Sequence, residues 1–378
     1  MLYLAYGAAT TLALLGSYTL PVIVGAVMDG LGFDARRAGL IGAAEVSAMA
    51  VASLLVAPLV GSMSVRRVAL VCVAVIATVN LLSMIPADFY TLLGLRLIVG
   101  VAAGTLYATV VAAIAGSPDP DRLYASVTMV VTLVTGALFM LLPWAIDFAG
   151  HRGVFCMFAA IAVAVGPLVL PLPRVTIAPT LEQCAGISGA DRASSLVLAS
   201  ALVVSAGAQA IWMYAERIGR HVGMSIEAIG VTLAAATELG ILGPLLVVWL
   251  GTRFGRTTPL AISMCAVGLS ALSLGYADAR GIFAAALLLY SASYLLVQPL
   301  LLGAAAAVDT RGRVAAATGG MLLVGGAVGS TVAGGVLAGE SFVLLAWLVA
   351  GCCAVAMMLI LPLTLNLERR ARSAPLDV

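Results

Sequence analysis

Lysine is absent from all 378 residues. A phosphate-cradling GxxxxGK[ST] loop needs that residue, so primary ATP-driven pumping by this chain is excluded. Histidine occurs twice, as His151 and His221, both near the ends of apolar segments. The six cysteines form no CxxC and no Cys/His cluster, which removes the usual zinc and redox frameworks and leaves them as small apolar residues. No Asp-rich motif, HxxxH or embedded histidine is present, which argues against an integral membrane enzyme. Charge is scarce as well. Only 10% of residues are charged, against about a quarter in soluble domains, and the net charge is +2. No basic stripe exists for nucleic acid.

What is present is apolar. Hydrophobic residues make up 63% of the chain, with 40 glycines besides. No globule can hide that much apolar surface under so thin a polar skin, so the chain is a polytopic membrane protein. A helix needs about 20 apolar residues to cross the bilayer core. Twelve such runs are found, near 3–28, 37–63, 66–86, 91–115, 123–146, 153–171, 195–215, 226–251, 257–276, 281–306, 314–337 and 342–365. The first lacks a basic n-region and outlasts a signal peptide's core, so it reads as a retained span. The polar stretch 172–194 is the one long connection. It divides the chain into an all-helical bundle of six spans over 1–171, a central cytoplasmic loop, and a second six-span bundle over 195–378 with a short tail.

Twelve of the nineteen arginines fall in loops on the side of the N-terminus, six on the other side, and Arg96 lies within a span. The positive-inside bias therefore predicts both termini in the cytoplasm, in a multi-pass protein of the cell inner membrane. Arginine without lysine, in a chain rich in Ala and Gly, also reads as the codon usage of a high-GC bacterial genome.

The halves echo each other about 190 residues apart. The second span ends APLVGSMSVRRVAL and the eighth ends LVVWLGTRFGRTTPL. GTRFGR, with Arg253, Gly255 and Arg256, resembles the Gly-x-x-x-Asp-Arg-x-Gly-Arg loop motif of the major facilitator superfamily. Thr252 stands where the family has Asp, and Val248 where it has the first Gly. The first-half copy runs from Gly61 through Arg66 and Arg67, without the Asp and the second Gly. RLIVGVAAG, with Arg96, Gly100 and Gly104, resembles the family's fourth-helix Arg-x-x-x-Gly-x-x-x-Gly motif. The resemblance covers essentially the whole chain. It implies a twelve-helix secondary transporter in two six-helix bundles, not an enzyme, with no cofactor and an ion gradient as driving force. The GPxxGG motif that proton-driven drug exporters of the family carry in the fifth helix is missing; a similar run, GGAVGSTVAGG, lies in the eleventh span instead.

Three charged residues fall inside spans, where each costs about 2.5–3.5 kcal/mol on insertion scales and so marks a functional candidate. Glu45 lies about 12 Å and Arg96 about 8 Å in from the same membrane face, at 1.5 Å per helical residue. They belong to one half, so a Glu45–Arg96 pair is predicted, either static or opened by protonation or by substrate. Glu238 lies near the midplane, close to the place related to Glu45 by the repeat, with no basic partner in view. It is a candidate for proton coupling, with a water-facing ionised carboxylate or a cation contact as the alternatives.

In the family fold, helices 1, 4, 7 and 10 surround the cavity. Tyr18, Gln209, Tyr290, Tyr294 and Gln298 are then the candidates for its lining, the last three sharing a face at helical spacing. The pairs Gly100/Gly104 and Gly325/Gly329 suit close helix contact. The loop residues Gly61, Arg66, Arg67, Arg253, Gly255 and Arg256 are candidates for a cytoplasmic gate, or simply anchors. These readings converge on a monomeric carrier that moves a small organic solute across the bilayer by alternating access, with proton coupling and without ATP. An exporter of hydrophobic or cationic compounds is one alternative, and a non-transporting sensor of the same fold is another. Solute charge stays open: an anion would pair with Arg96, a neutral or cationic compound with Glu238 and Glu45.

Overall fold

In a computed structural model, residues 2–56, 59, 63–85, 88–115, 120–173, 192–240, 242, 255–308, 313–337 and 341–373 are described. The described elements are all helical: α1 (Leu2–Tyr18), α2 (Leu20–Leu31), α3 (Ala35–Val56), α4 (Val65–Leu82), α5 (Phe89–Ala115), α6 (Pro120–Ala149), α7 (His151–Leu168), α8 (Arg192–Trp212), α9 (Ala215–His221), α10 (Ile226–Leu239), α11 (Thr257–Gly275), α12 (Arg280–Val308), α13 (Arg313–Leu337) and α14 (Phe342–Ser373). Ten of them are long and apolar enough to cross a membrane, and α1 with α2 makes an eleventh as a bent pair. The span expected at 226–251 is described as a helix only over Ile226–Leu239. Most of the remainder, and most of the central stretch 172–194, lies outside the described residues.

The first expected span is not one straight helix. It bends by 51° between α1 and α2. Pro21 sits in the first turn of α2 and has no N–H to donate. Thr19 accepts from the amides of both Val22 and Ile23, which leaves the Tyr18 carbonyl without a helical donor. The indole Nε1 of Trp212, at the end of α8, donates to that carbonyl at 3.1 Å. The break thus ties the first half of the chain to the second. The start of α5 is sharper: Asp88 accepts from the amides of Tyr90 and Thr91 and from the Thr91 hydroxyl, and these bonds hold its carboxyl below the ordinary range.

Between lipid-embedded helices no hydrophobic drive remains, so close packing of small residues carries the association. On α5, a Cβ added to Gly100 or Gly104 would strike the carbonyl oxygen of Glu45 or Met49 on α3. On α13, one at Gly325 or Gly329 would strike that of Leu202 or Ala206 on α8. Two seams join the halves, α3 against α13 and α6 against α10. Gly39 of α3 and Gly334 of α13 meet backbone to backbone at the first.

Because the obstacle at Gly329 is a backbone oxygen, Gly329→Val is expected to lower stability by about 1–3 kcal/mol. Gly335→Ala, whose Cβ would enter open space, is expected to stay within about 0.5 kcal/mol of the parent. Thermal unfolding in detergent would compare them, and equal loss at both positions would refute the packing argument.

Candidate functional site

Side chains from α3, α7 and the C-terminal end of α4 enclose Arg96 of α5. Its guanidinium is fully buried. One terminal nitrogen donates to Glu45 Oε2 at 3.4 Å and to Asn80 Oδ1 at 3.1 Å. The other donates to Asn80 Oδ1 at 3.2 Å and to the Ser83 hydroxyl at 2.7 Å. The Phe155 ring covers the guanidinium face at 4.7 Å, and Nε has no hydrogen-bond partner. Glu45, also buried, rests against Gly16 of α1, where any larger residue would displace it. The pair expected from sequence therefore exists. Its better hydrogen bonds, however, run to Asn80 and Ser83, and no face of Arg96 is open to a solute. An organic anion docking on Arg96 is not compatible with this arrangement.

Midway along the bundle, Tyr18 of α1 stands beside Tyr107 of α5 and Tyr294 of α12. Tyr18 is 39% exposed although helices of both halves flank it. Tyr294 donates to the Ser205 hydroxyl on α8 at 3.2 Å and also bonds the Gln298 side chain one turn along. Gln209, on α8, has an amide nitrogen that is buried and lacks an acceptor. Of the five lining candidates, Tyr18 lies on α1, Gln209 on α8, and Tyr290, Tyr294 and Gln298 on α12. Tyr290 does not face open space. It is 2% exposed, and its hydroxyl donates to the Ala208 carbonyl at 2.5 Å, so it fastens α12 to α8 rather than lining a cavity.

Glu238 is half-buried on α10. Its carboxylate lies against Gly136 of α6, at the second seam, and no ion pair among the described residues includes it.

A third cluster was not foreseen. Arg217 of α9 pairs with Asp29 of α2 at 2.9 Å and with Glu216 at 3.2 Å, and it donates to the Gly25 carbonyl. Arg220 pairs with Asp29 at 3.1 Å and with Glu216 at 2.5 Å. Tyr214 donates to the Ala35 carbonyl at 2.9 Å. These contacts clasp the halves at the end of the bundle that carries α9, and the Trp212–Tyr18 bond joins them farther in. Glu216 is buried against Gly25, and burial pushes its carboxyl above the ordinary range despite the two guanidiniums.

Among the loop-motif residues, Arg66, Gly255 and Arg256 make contacts within their own halves in this arrangement. Arg66 bonds the carbonyls of Leu172 and Pro173 through Nε and its amide, both at 3.1 Å, within the first half. Arg67 is exposed. Gly255 takes φ +68°, a left-handed turn that only glycine adopts freely. That turn lets Glu368 of α14 accept from the amides of Arg256 and Thr257 at 2.6 and 2.8 Å, within the second half. Gly61 and Arg253 lie outside the described residues.

Sequence reasoning missed Tyr107, Asn80, Ser83 and the Asp29 clasp. Asn80 carried the one usable signal, an amide inside an apolar run.

A family model described as the Major Facilitator Superfamily matches residues 6–306. A search of curated proteins finds no match. Among solved structures, the chain is similar to the nucleoside transporter NupG, with TM-score 0.78 and 14% identity over 96% of this chain and 98% of that one. It is also similar to a proton dependent oligopeptide transporter, with TM-score 0.74 and 15% identity over 97% and 99%. A bacterial homologue of the human lysosomal transporter Spinster gives TM-score 0.69 and 16% identity over 98% and 95%. At such identities these likenesses concern the fold alone.

Proposed function

The chain belongs to the Major Facilitator Superfamily and is a membrane transporter, and from that premise we propose that it carries a small organic solute by alternating access, driven by a proton gradient across the cell inner membrane. The observation that carries this reading is the asymmetry of the half-to-half contacts. Every ion pair between the halves among the described residues lies at the α9 end, where Asp29 meets Arg217 and Arg220. Midway along the bundle, by contrast, Tyr18 is exposed. With the N-terminus in the cytoplasm, as the arginine distribution favours, the clasped end faces outward. Transport then requires the Asp29 clasp to part and the opposite end to close.

Proton coupling is assigned to Glu238. It sits at a seam that must move, is partly open, and has no ion-pair partner among the described residues. In proteoliposomes loaded with pyranine and given a mixture of charged and uncharged aromatic solutes, solute-dependent proton influx is expected in the parent and a loss of at least tenfold in Glu238→Gln. Unchanged gradient dependence in the variant would remove Glu238 from the mechanism.

A further inference from the structure

Among the described residues, the polar side chains placed around Tyr18 are uncharged. Tyr18, Tyr107 and Tyr294 come from both halves and lie near one another. Gln298 adjoins Tyr294, and Gln209 brings a buried amide nitrogen with no acceptor. The full charges nearby are withdrawn from it: Arg96 is wholly enclosed by Glu45, Asn80, Ser83 and Phe155, and Glu45 is 5% exposed. A charged solute entering this space would lose its hydration without gaining a counter-charge from either residue.

We propose that the cavity takes an uncharged solute with a flat ring and an accepting oxygen, the ring against the tyrosine faces and the oxygen on the free N–H of Gln209. This rests on the transporter reading above, in which Glu238 carries the proton and not the solute. Aromatic faces supply contact area to a ring without requiring charge. A buried donor without a partner is costly in the empty protein, so a ligand oxygen that meets it gains more than an ordinary surface hydrogen bond would. An anion has no accessible partner among the residues named.

The test is thermal unfolding of the full chain in detergent with matched aromatic probes at millimolar concentration: salicin, arbutin, benzamide and nicotinamide as the uncharged set, benzoate as the anion and phenethylammonium as the cation. At least one uncharged probe is expected to raise the midpoint, and neither charged probe to do so. In Gln209→Leu that ligand-induced shift is expected to disappear while the ligand-free midpoint stays the same or rises, because the variant removes an unpaired amide. A merely structural glutamine would lower the ligand-free midpoint instead. Stabilisation by benzoate or phenethylammonium, or by no uncharged probe, overturns the inference. A shift by an uncharged probe without proton influx in the pyranine assay would overturn the coupling and leave the solute class standing; proton influx with only a charged probe would do the reverse.

Discussion

Arg96→Ala is expected to be among the most damaging single substitutions in this chain, costing about 3–5 kcal/mol. Removing the guanidinium leaves Glu45 buried with no other cation, against Gly16 and beneath the α3–α5 contact. The opposite truncation is milder. In Glu45→Ala, Arg96 keeps the Asn80 and Ser83 oxygens at 2.7–3.2 Å and the Phe155 face. Glu45→Gln is milder still, because an amide oxygen can take the place of the 3.4 Å contact. The expected order of thermal midpoints is therefore Glu45→Gln above Glu45→Ala above Arg96→Ala. A double substitution of the pair by leucine is expected to recover much of the Arg96→Ala loss, since well-packed apolar groups often replace a buried pair without penalty. Equal losses for the two alanine variants would contradict the asymmetry of the network. The same series separates the two roles of the pair. If Glu45→Gln keeps both stability and gradient-driven flux, the pair is structural; if only flux falls, Glu45 takes part in coupling.

Arg217→Ala is expected to shift the balance between the closed and open arrangements of the α9 end. The residue joins Asp29, Glu216 and the Gly25 carbonyl and is 15% exposed in its side chain. Partly buried charge-assisted bonds of this kind are worth about 1.5–3 kcal/mol, or roughly a 10- to 150-fold change in the equilibrium. Asp29 is more exposed, at 43%, so the lower part of that range applies. Nitroxide labels at Tyr90 and Glu227, both exposed at this end and in opposite halves, would report the change as a longer distance population in electron paramagnetic resonance. An unchanged distribution would show that the helix seams, not the charges, hold this end shut. Exchanging the partners, Asp29→Arg with Arg217→Asp, is expected to restore part of the short population.

The two expected effects differ in kind for a physical reason. Arg96 lies wholly within one half, among α3, α4, α5 and α7, so its loss is felt as stability. Arg217 bridges α9 and α2, so its loss is felt as a change of state. Sequence position alone does not reveal this difference, since both residues are arginines near the same end of their helices.

Glu45 and Arg96 were legible as a pair because depth along a helix is one-dimensional: both were counted from the same face, in one half, at 1.5 Å per residue. The close-contact glycines were legible for a related reason, since a four-residue repeat keeps small residues on one stripe. Tyr290 misled because helical spacing places it with Tyr294 and Gln298 but does not say which neighbour that face meets. Its hydroxyl turned out to serve Ala208. The bend at Tyr18 had a signal in Pro21, but an apolar run continues through it, and hydropathy does not register a kink.

The sequence by itself determined the solvent, the helical character and the family, because burial of so much apolar surface has few solutions and because backbone groups in lipid must bond within helices. The tertiary structure alone decided that Arg96 is sealed by Asn80, Ser83 and Phe155, that Tyr290 bonds the Ala208 carbonyl, and that Asp29 reaches α9. Each depends on the rotation and tilt of one helix against another. Those follow from side-chain packing between segments far apart in the chain, which no pattern along a single helix records.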